Sequence, residues 1–257
     1  IYRSVSSTAD FQLLKSDLQK VMDWTELWQL AVNLKKCSVL HLGHNNLRLQ
    51  YIVQTANGSV TIKSSSSERD LGVYIDSGLN FEDHINSIVN KANRLLGIIK
   101  RSFVIRDAAS IMLIYKSVIR PVLEYGSPVW SPWKKKHIYQ IERIQRRLTK
   151  LIAGTGGLNY DQRLKRLNLA TLAYRRRREQ LIQVFKIMHG EYETAIGTFF
   201  QKSASDSTRG HSMKLQAVGS RLSLRSNFFS IRIVRDCNQL PNDVVAATSL
   251  NMFKSTL

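Results

Sequence analysis

The order of hydrophobic and polar positions divides the chain near residue 80. From Ser7 to Leu30 the apolar positions Phe11, Leu14, Leu18, Val21, Thr25 and Trp28 keep helical spacing, with Ser7 or Thr8 placed to cap, and predict one amphipathic helix. The period then drops to two. "KCSVLHLG" reads as a strand ended by Gly43, "RLQYIVQ" and "SVTIK" flank a turn at Ala56-Asn57-Gly58, and "DLGVYID" is a further strand. These elements predict a helix packed on a small antiparallel sheet. Beyond Asn80 the helical period returns: Phe81, Ile85, Ile88, Ala92, Leu95, Ile99 and Phe103 define one long helix, and Asp107 is placed to cap a second that meets Pro121. Ile138, Ile141, Leu148, Leu151 and Ile152 line a third, stopped by "GTGG" at 154–157, and a fourth runs from about Leu169 to His189. "QKSASDSTRGHS" at 201–212 reads as a polar, mobile loop, after which "SNFFSIRIVRDCNQLP" resumes a helical pattern. There is no internal repeat. The expected fold class is α+β, mostly α.

Composition sharpens this picture through charge. With 257 residues and 43% apolar content the chain can bury a real core, as one large domain or two small ones. The net charge of +19 is unevenly spread: residues 1–90 carry eight basic and nine acidic side chains, residues 91–186 carry 22 and five, and residues 187–257 carry eight and five. A middle so cationic calls for a polyanion, and nucleic acid fits better than an anionic membrane surface, because the basic helices lack a wide bare apolar face. Lys116 and Arg120 interrupt the most apolar stretch, "IMLIYKSVIRPVLEYG", so no membrane span is expected. Cys37 and Cys237 are too few and too distant to suggest a disulfide framework, which points to a reducing compartment. The opening residues lack a basic-then-apolar signal and fit an internal start.

Three clusters invite a chemical reading. His84, Lys91, Arg94 and Arg101 fall on one side of the long helix, away from its apolar stripe. Alone this is a solvated face. The third helix repeats it with Lys134–Lys136, Arg143, Arg146, Arg147 and Lys150 against the single acid Glu142, and two ridges in tandem point to contact with backbone phosphates. In "AYRRRRE" at 173–179 four arginines sweep most of a helical turn. With Tyr174, Leu181, Phe185 and Met188 as the buried stripe, Arg177 and Arg178 border the core and Arg175 and Arg176 point outward, available to phosphate. Cys37, His41 and His44 lack a fourth ligand and any zinc spacing, so a buried thiol and two ordinary histidines suffice. No Gly-rich phosphate loop, nucleophile elbow or convergent carboxylate pair is present; Asp70 and Asp76 read as strand ends.

Taken together the motifs resemble, in order, the C-terminal half of a reverse transcriptase from a non-LTR retrotransposon of the jockey-like and chicken-repeat-like groups. The matching segments begin with "YRSVSS", "DFQLLKSDLQKVMDWTELWQLAVNLKKCSVLHLG" and "RDLGVYIDSGLNFEDHINSIVNKANRLLGIIKRSF". They continue with "IYKSVIRPVLEYGSPVWSP", "IERIQRRLTKLI", "RRRREQLIQVFKIMHG" and "FFSIRIVRDCNQLPNDVVAATSLNMFKS", covering nearly the whole chain.

The resemblance implies a palm remnant with a primer-grip hairpin over 1–80, a helical thumb over 81–155, a basic helical connection over 156–200, and a loop with a C-terminal helical region over 201–257. In that family an aromatic-Ala-Asp-Asp turn stands a few residues before the position of Ile1, and its carboxylates hold Mg2+ or Mn2+ for nucleotidyl transfer to a primer end. Without that turn this chain is expected to bind template–primer, as RNA–DNA or DNA duplex, without polymerising alone, in the nucleus or cytoplasm. Lys36, in Asn33-Leu34-Lys35-Lys36-Cys37, resembles a proposed proton donor to the leaving group; it reads equally as a surface lysine before a strand. Leu71 and Gly72 resemble the primer grip, where the absence of a Cβ at Gly72 lets a strand approach. One departure is Cys237, where the family usually has Trp in Trp-Asn-x-Leu-Pro, a substitution that removes packing. The alternative is a non-enzymatic, basic helical nucleic-acid-binding protein, such as a domesticated fragment.

Overall fold

The computed structural model describes residues 1–43, 45–56, 58–104, 106–192, 196–203, 211 and 213–257. The chain divides into two compact units, Ile1–His84 and Ile85–Leu257.

The first unit is α+β. Helix α1 (Thr8–Leu27) starts in a capping box: Ser7 Oγ accepts from the Asp10 amide at 3.2 Å while the Asp10 carboxylate accepts from the Ser7 amide at 2.9 Å. Phe11, Leu14, Leu18 and Met22 pack against a small core of Tyr51, Val53 and Ile62, and the Phe11 and Tyr51 rings lie 4.9 Å apart. Met22 takes the place expected for Val21, which is exposed with Trp24, Leu27 and Trp28.

The strands are β1 (Ser38–Leu40), β2 (Ile52–Thr55), β3 (Gly58–Thr61), β4 (Lys63–Ser65), β5 (Ser67–Asp70) and β6 (Val73–Asp76). Instead of one antiparallel sheet they form three separate two-stranded pairs. β2–β3 and β5–β6 are antiparallel hairpins, whereas β1–β4 is parallel, with Ser38 opposite Lys63. The expected hairpin around Ala56 to Gly58 is present, with Asn57 and His44 outside the described residues. Asp76 closes β6 and organises the next turn, its carboxylate accepting from the amides of Gly78, Asn80 and Phe81 at 3.0, 3.0 and 2.6 Å.

Helix α2 (Glu82–Ser102) follows at once, with Ile85, Ile88, Ala92, Leu96 and Ile99 buried. His84, placed by its spacing on the basic ridge, is instead only 2% exposed, and its Nδ1 accepts from the Tyr74 amide at 3.3 Å. Its helical position lies only about 40° from that of Ile88, so covering the first turn by the β5–β6 hairpin brings it inside. Burial, aided by the nearby Arg69 charge, pushes the imidazole down to about 4 from 6.5.

The second unit is helical. Asp107 caps α3 (Ala108–Ile114), accepting from the Ser110 amide at 2.9 Å, and the rod continues through a wide turn at Tyr115–Ile119 into α4 (Arg120–Glu124). There the Arg120 amide reaches the Tyr115 carbonyl, one residue further back than an α-helix requires. This loosening precedes Pro121, which has no amide hydrogen to donate and would crowd a regular turn.

Next come α5 (Ser127–Trp130), α6 (Lys135–Thr149), α7 (Tyr160–Arg166) and α8 (Leu172–Met188). Helix α7 was not expected; it opens with a capping box in which the Asn159 side chain and the Gln162 amide pair at 2.9 Å. The C-terminal elements are α9 (Ile196–Phe199), α10 (Ser223–Ser226), α11 (Phe229–Asn238), α12 (Asn242–Val245) and α13 (Leu250–Thr256). Leu181, Val184, Phe185 and Ile187 of α8 form one core with Ile233, Val234 and Cys237 of α11 and Phe253 of α13. Cys237 borders an apolar cavity of about 30 Å³ shared with Leu181, Phe185, Met213 and Phe253, and burial pushes its thiol up to about 11. Most of the polar stretch 201–212 lies outside the described residues. No described helix is long and apolar enough to cross a membrane.

His84 gives the first unit a defined acid response. Because the folded imidazole protonates only near pH 4 and the unfolded one near 6.5, the unfolded chain takes up the proton first as pH falls. Stability from this residue is full above about 6.5, declines between 6.5 and 4, and is flat below. Denaturant titrations across that window should show the decline in the native chain and a flatter profile in His84→Gln.

Candidate nucleic-acid interface

Helix α6 carries only one acid, and its placement sets the charge of the whole face. Glu142 is 7% exposed, with one carboxylate oxygen accepting from the Tyr160 hydroxyl of α7 and the other from the Leu172 amide at the start of α8, at 3.0 Å. One turn on, buried Gln145 accepts from the Tyr115 hydroxyl and donates to the Tyr160 hydroxyl at 2.9 Å and the Ala170 carbonyl at 3.0 Å. Burial, reinforced by the hydrogen bond to Glu142, raises the Tyr160 phenol far above its usual value; burial does the same to Tyr115. Both hydroxyls therefore remain donors. Arg146 is drawn over the Tyr160 ring, 4.0 Å from its centroid, and is only half-exposed.

The opposite side of α6 presents Arg143, Arg147 and Lys150 to solvent. Arg147 also donates to Asn93 Oδ1 of α2 at 2.8 Å, which ties the two helices at that point. Lys91, Arg94 and Arg101 of α2 are likewise exposed. Two cationic faces thus belong to one unit, on helices joined through Arg147 and Asn93. Asn93 was missed because a lone asparagine on a helix carries no signal of what it will meet.

The arginine run of α8 is arranged differently from the expectation. Arg175 is half-buried and doubly bonded to Glu124, at 2.5 and 3.0 Å, a pairing that raises its guanidinium further. Arg176 is 2% exposed, and its Nη1 has no hydrogen-bond partner; burial lowers its pKa. The two residues expected to face outward are therefore held inward. Arg177 is the exposed member, yet it pairs with Asp236 at 2.8 Å, and Arg178 donates to the Lys254 carbonyl. Tyr174, expected in the core, is 49% exposed, with its hydroxyl donating to the Leu257 carbonyl at 3.0 Å. The cause is that α8 is covered on two sides: its first half packs through Leu172, Arg176 and Gln180, spaced by four, and its second half through Leu181, Val184 and Phe185.

In the first unit, Leu71 and Gly72 form the apex of the β5–β6 hairpin, with φ values of 44° and 88°. Gly72 adopts this left-handed geometry without strain, and Leu71 beside it is 84% exposed. Lys36 is exposed at the end of a single 3-10 turn, Leu34–Lys36. Cys37 donates to the Asn33 carbonyl at 3.5 Å, and His41 lies within hydrogen-bond reach of Asn46 Oδ1 and Ser64 Oγ, at 3.1 and 3.4 Å. Among the described residues no group of three or more His, Cys, Asp or Glu side chains is placed to hold a metal ion.

Comparison with known proteins supports a distant relationship to mobile-element polymerases. The chain is 28% identical over 148 residues to the RNA-directed DNA polymerase from mobile element jockey of Drosophila melanogaster, covering 54% of this chain and 16% of that protein. It is 25% identical over 158 residues to a probable RNA-directed DNA polymerase from transposon X-element of the same organism, covering 58% and 17%. An uncharacterized protein of Caenorhabditis elegans is 26% identical over 126 residues, covering 48% of this chain and 64% of that protein. The chain thus matches less than two thirds of each relative and only a small part of each polymerase. No family model and no solved structure matches it.

The inward and outward sides of α6 should respond differently to substitution. Glu142→Ala leaves the Leu172 amide and the Tyr160 O–H without an acceptor, at about 1–3 kcal/mol for each buried donor so stranded, so chemical denaturation should register a large loss. Arg143→Ala removes an exposed side chain and should stay within about 0.5 kcal/mol of the parent.

Proposed function

We propose that this chain is a C-terminal portion of an RNA-directed DNA polymerase from a non-LTR mobile element, the portion that grips template–primer nucleic acid. In this reading the first unit is the remainder of the palm, the Leu71-Gly72 apex is the primer grip, and the helices from α2 through α6 are the thumb. Lys36 is the candidate proton donor of the palm and acts only in the complete enzyme. The observation carrying the reading is the pair of cationic faces on α2 and α6, two helices linked through Arg147 and Asn93, with the one acid of α6 turned inside. Such a surface neutralises successive backbone phosphates and releases their counterions, and it needs no base-specific contact. Arg175 and Arg176, held by internal contacts, have no part in that surface.

The purified chain should bind RNA–DNA or DNA duplex with an affinity that falls steeply with salt, with a log–log slope of about 0.9 per phosphate neutralised on B-form DNA. Replacing Lys91, Arg94 and Arg101 together by Ala should flatten the slope by about two to three units; an unchanged slope removes α2 from the interface. Primer-extension assays of the chain alone with Mg2+ or Mn2+ should show no nucleotide incorporation, and robust synthesis would overturn the assignment to a gripping portion.

A further inference from the structure

The start of α6 carries a feature that phosphate contact alone does not use. Tyr139 is 59% exposed and Trp133, just before the helix, is 40% exposed. On an α-helix, residues three and four apart sit about 5–6 Å from one another, so Tyr139 stands between exposed Lys135 and Lys136 on one side and exposed Arg143 on the other. Lys134 lies over the Trp133 ring, its Nζ 5.3 Å from the centroid. Tyr139 is therefore bracketed by cations at one-turn spacing and Trp133 has one against its ring, on a stretch whose only acid is buried. Lys135 and Lys136 stand in the first turn of the helix, where the positive end of its dipole disfavours them.

Alternating flat apolar faces and point cations match an unpaired nucleic-acid strand, which offers bases for stacking and phosphates between them. A closed duplex offers no base face from the side, and an acidic peptide has no use for the rings. We propose that Trp133 to Arg143 is a single-strand site: bases stack on Trp133 and Tyr139, while Lys135, Lys136 and Arg143 hold the adjoining phosphates. This deepens the gripping reading and rests on it, adding an unpaired overhang to the duplex as ligand.

The test uses the full chain and fluorescence anisotropy with two probes, a labelled oligothymidine strand and a blunt DNA duplex. Base–aromatic stacking contributes about 1–3 kcal/mol per base, so Tyr139→Leu and Trp133→Leu should each weaken single-strand binding roughly 5- to 150-fold. Neither substitution removes a phosphate contact, so the salt slope should stay unchanged, as should duplex affinity, and Tyr139→Trp should retain binding. Circular dichroism checks that helix content is preserved. Unchanged single-strand affinity in both leucine variants, or an equal loss on strand and duplex, overturns the single-strand site while leaving duplex gripping intact. Absence of salt-sensitive binding to either probe overturns both.

Discussion

The helical unit depends on where the carboxylate of Glu142 goes. A carboxyl group out of water is tolerable only when its oxygens are occupied, and here one takes the Tyr160 hydroxyl and the other the Leu172 amide. Those partners belong to α7 and to the first residue of α8, so satisfying one acid fixes three helices. Gln145 extends the arrangement to Tyr115 in the wide turn after α3, joining a fourth element by the same kind of bond. With the acid committed inside, the outer side of α6 has nothing of its own to offset Arg143, Arg147 and Lys150. The core and the surface of this helix are two results of one placement.

Charge counted along the chain overstates what a partner would meet. In the run 175–178, two arginines are engaged with acids, one bonds a carbonyl, and one is buried. Arg232 adds another: it donates to Gln180, Asn227 and Pro128 at 2.8, 2.6 and 2.5 Å, and burial lowers its pKa to about 10. These guanidiniums serve as cross-links that gather α5, α8, α11 and α13, using the several fixed donors each carries. Lys91, Arg94 and Arg101 of α2 and Arg143 and Arg147 of α6 remain outward instead, and those two helices carry the proposed interface.

Features set by neighbours in sequence were legible. The Ser7 cap, the β2–β3 hairpin, the Asp107 cap and the stripe Ile85–Ile88–Ala92–Ile99 all depend on residues within a few positions of one another. What was not legible depends on distant covering. His84 lies beside the apolar stripe, and only the preceding hairpin decides that it is enclosed. The outward reading of Arg176 failed because α8 is enclosed from two directions, which a single-stripe pattern cannot express. The Asn159 and Gln162 pair was a local signal that could have revealed α7, and with it the partner of Glu142. The division into three strand pairs, one of them parallel, left no local mark, because the β1–β4 ladder skips over an entire hairpin.

That skipped hairpin bears on the order of events during folding. β2–β3 and β5–β6 each join strands separated by a tight turn, so little chain entropy is lost in zipping them. The β1–β4 ladder must instead bring Ser38 to Lys63 with all intervening chain looped out, and such non-local pairings form slowly. The hairpins are therefore ready early, and the two short edges that meet in β1–β4 stay unzipped longest, the interval in which this unit is most exposed to pairing with another molecule.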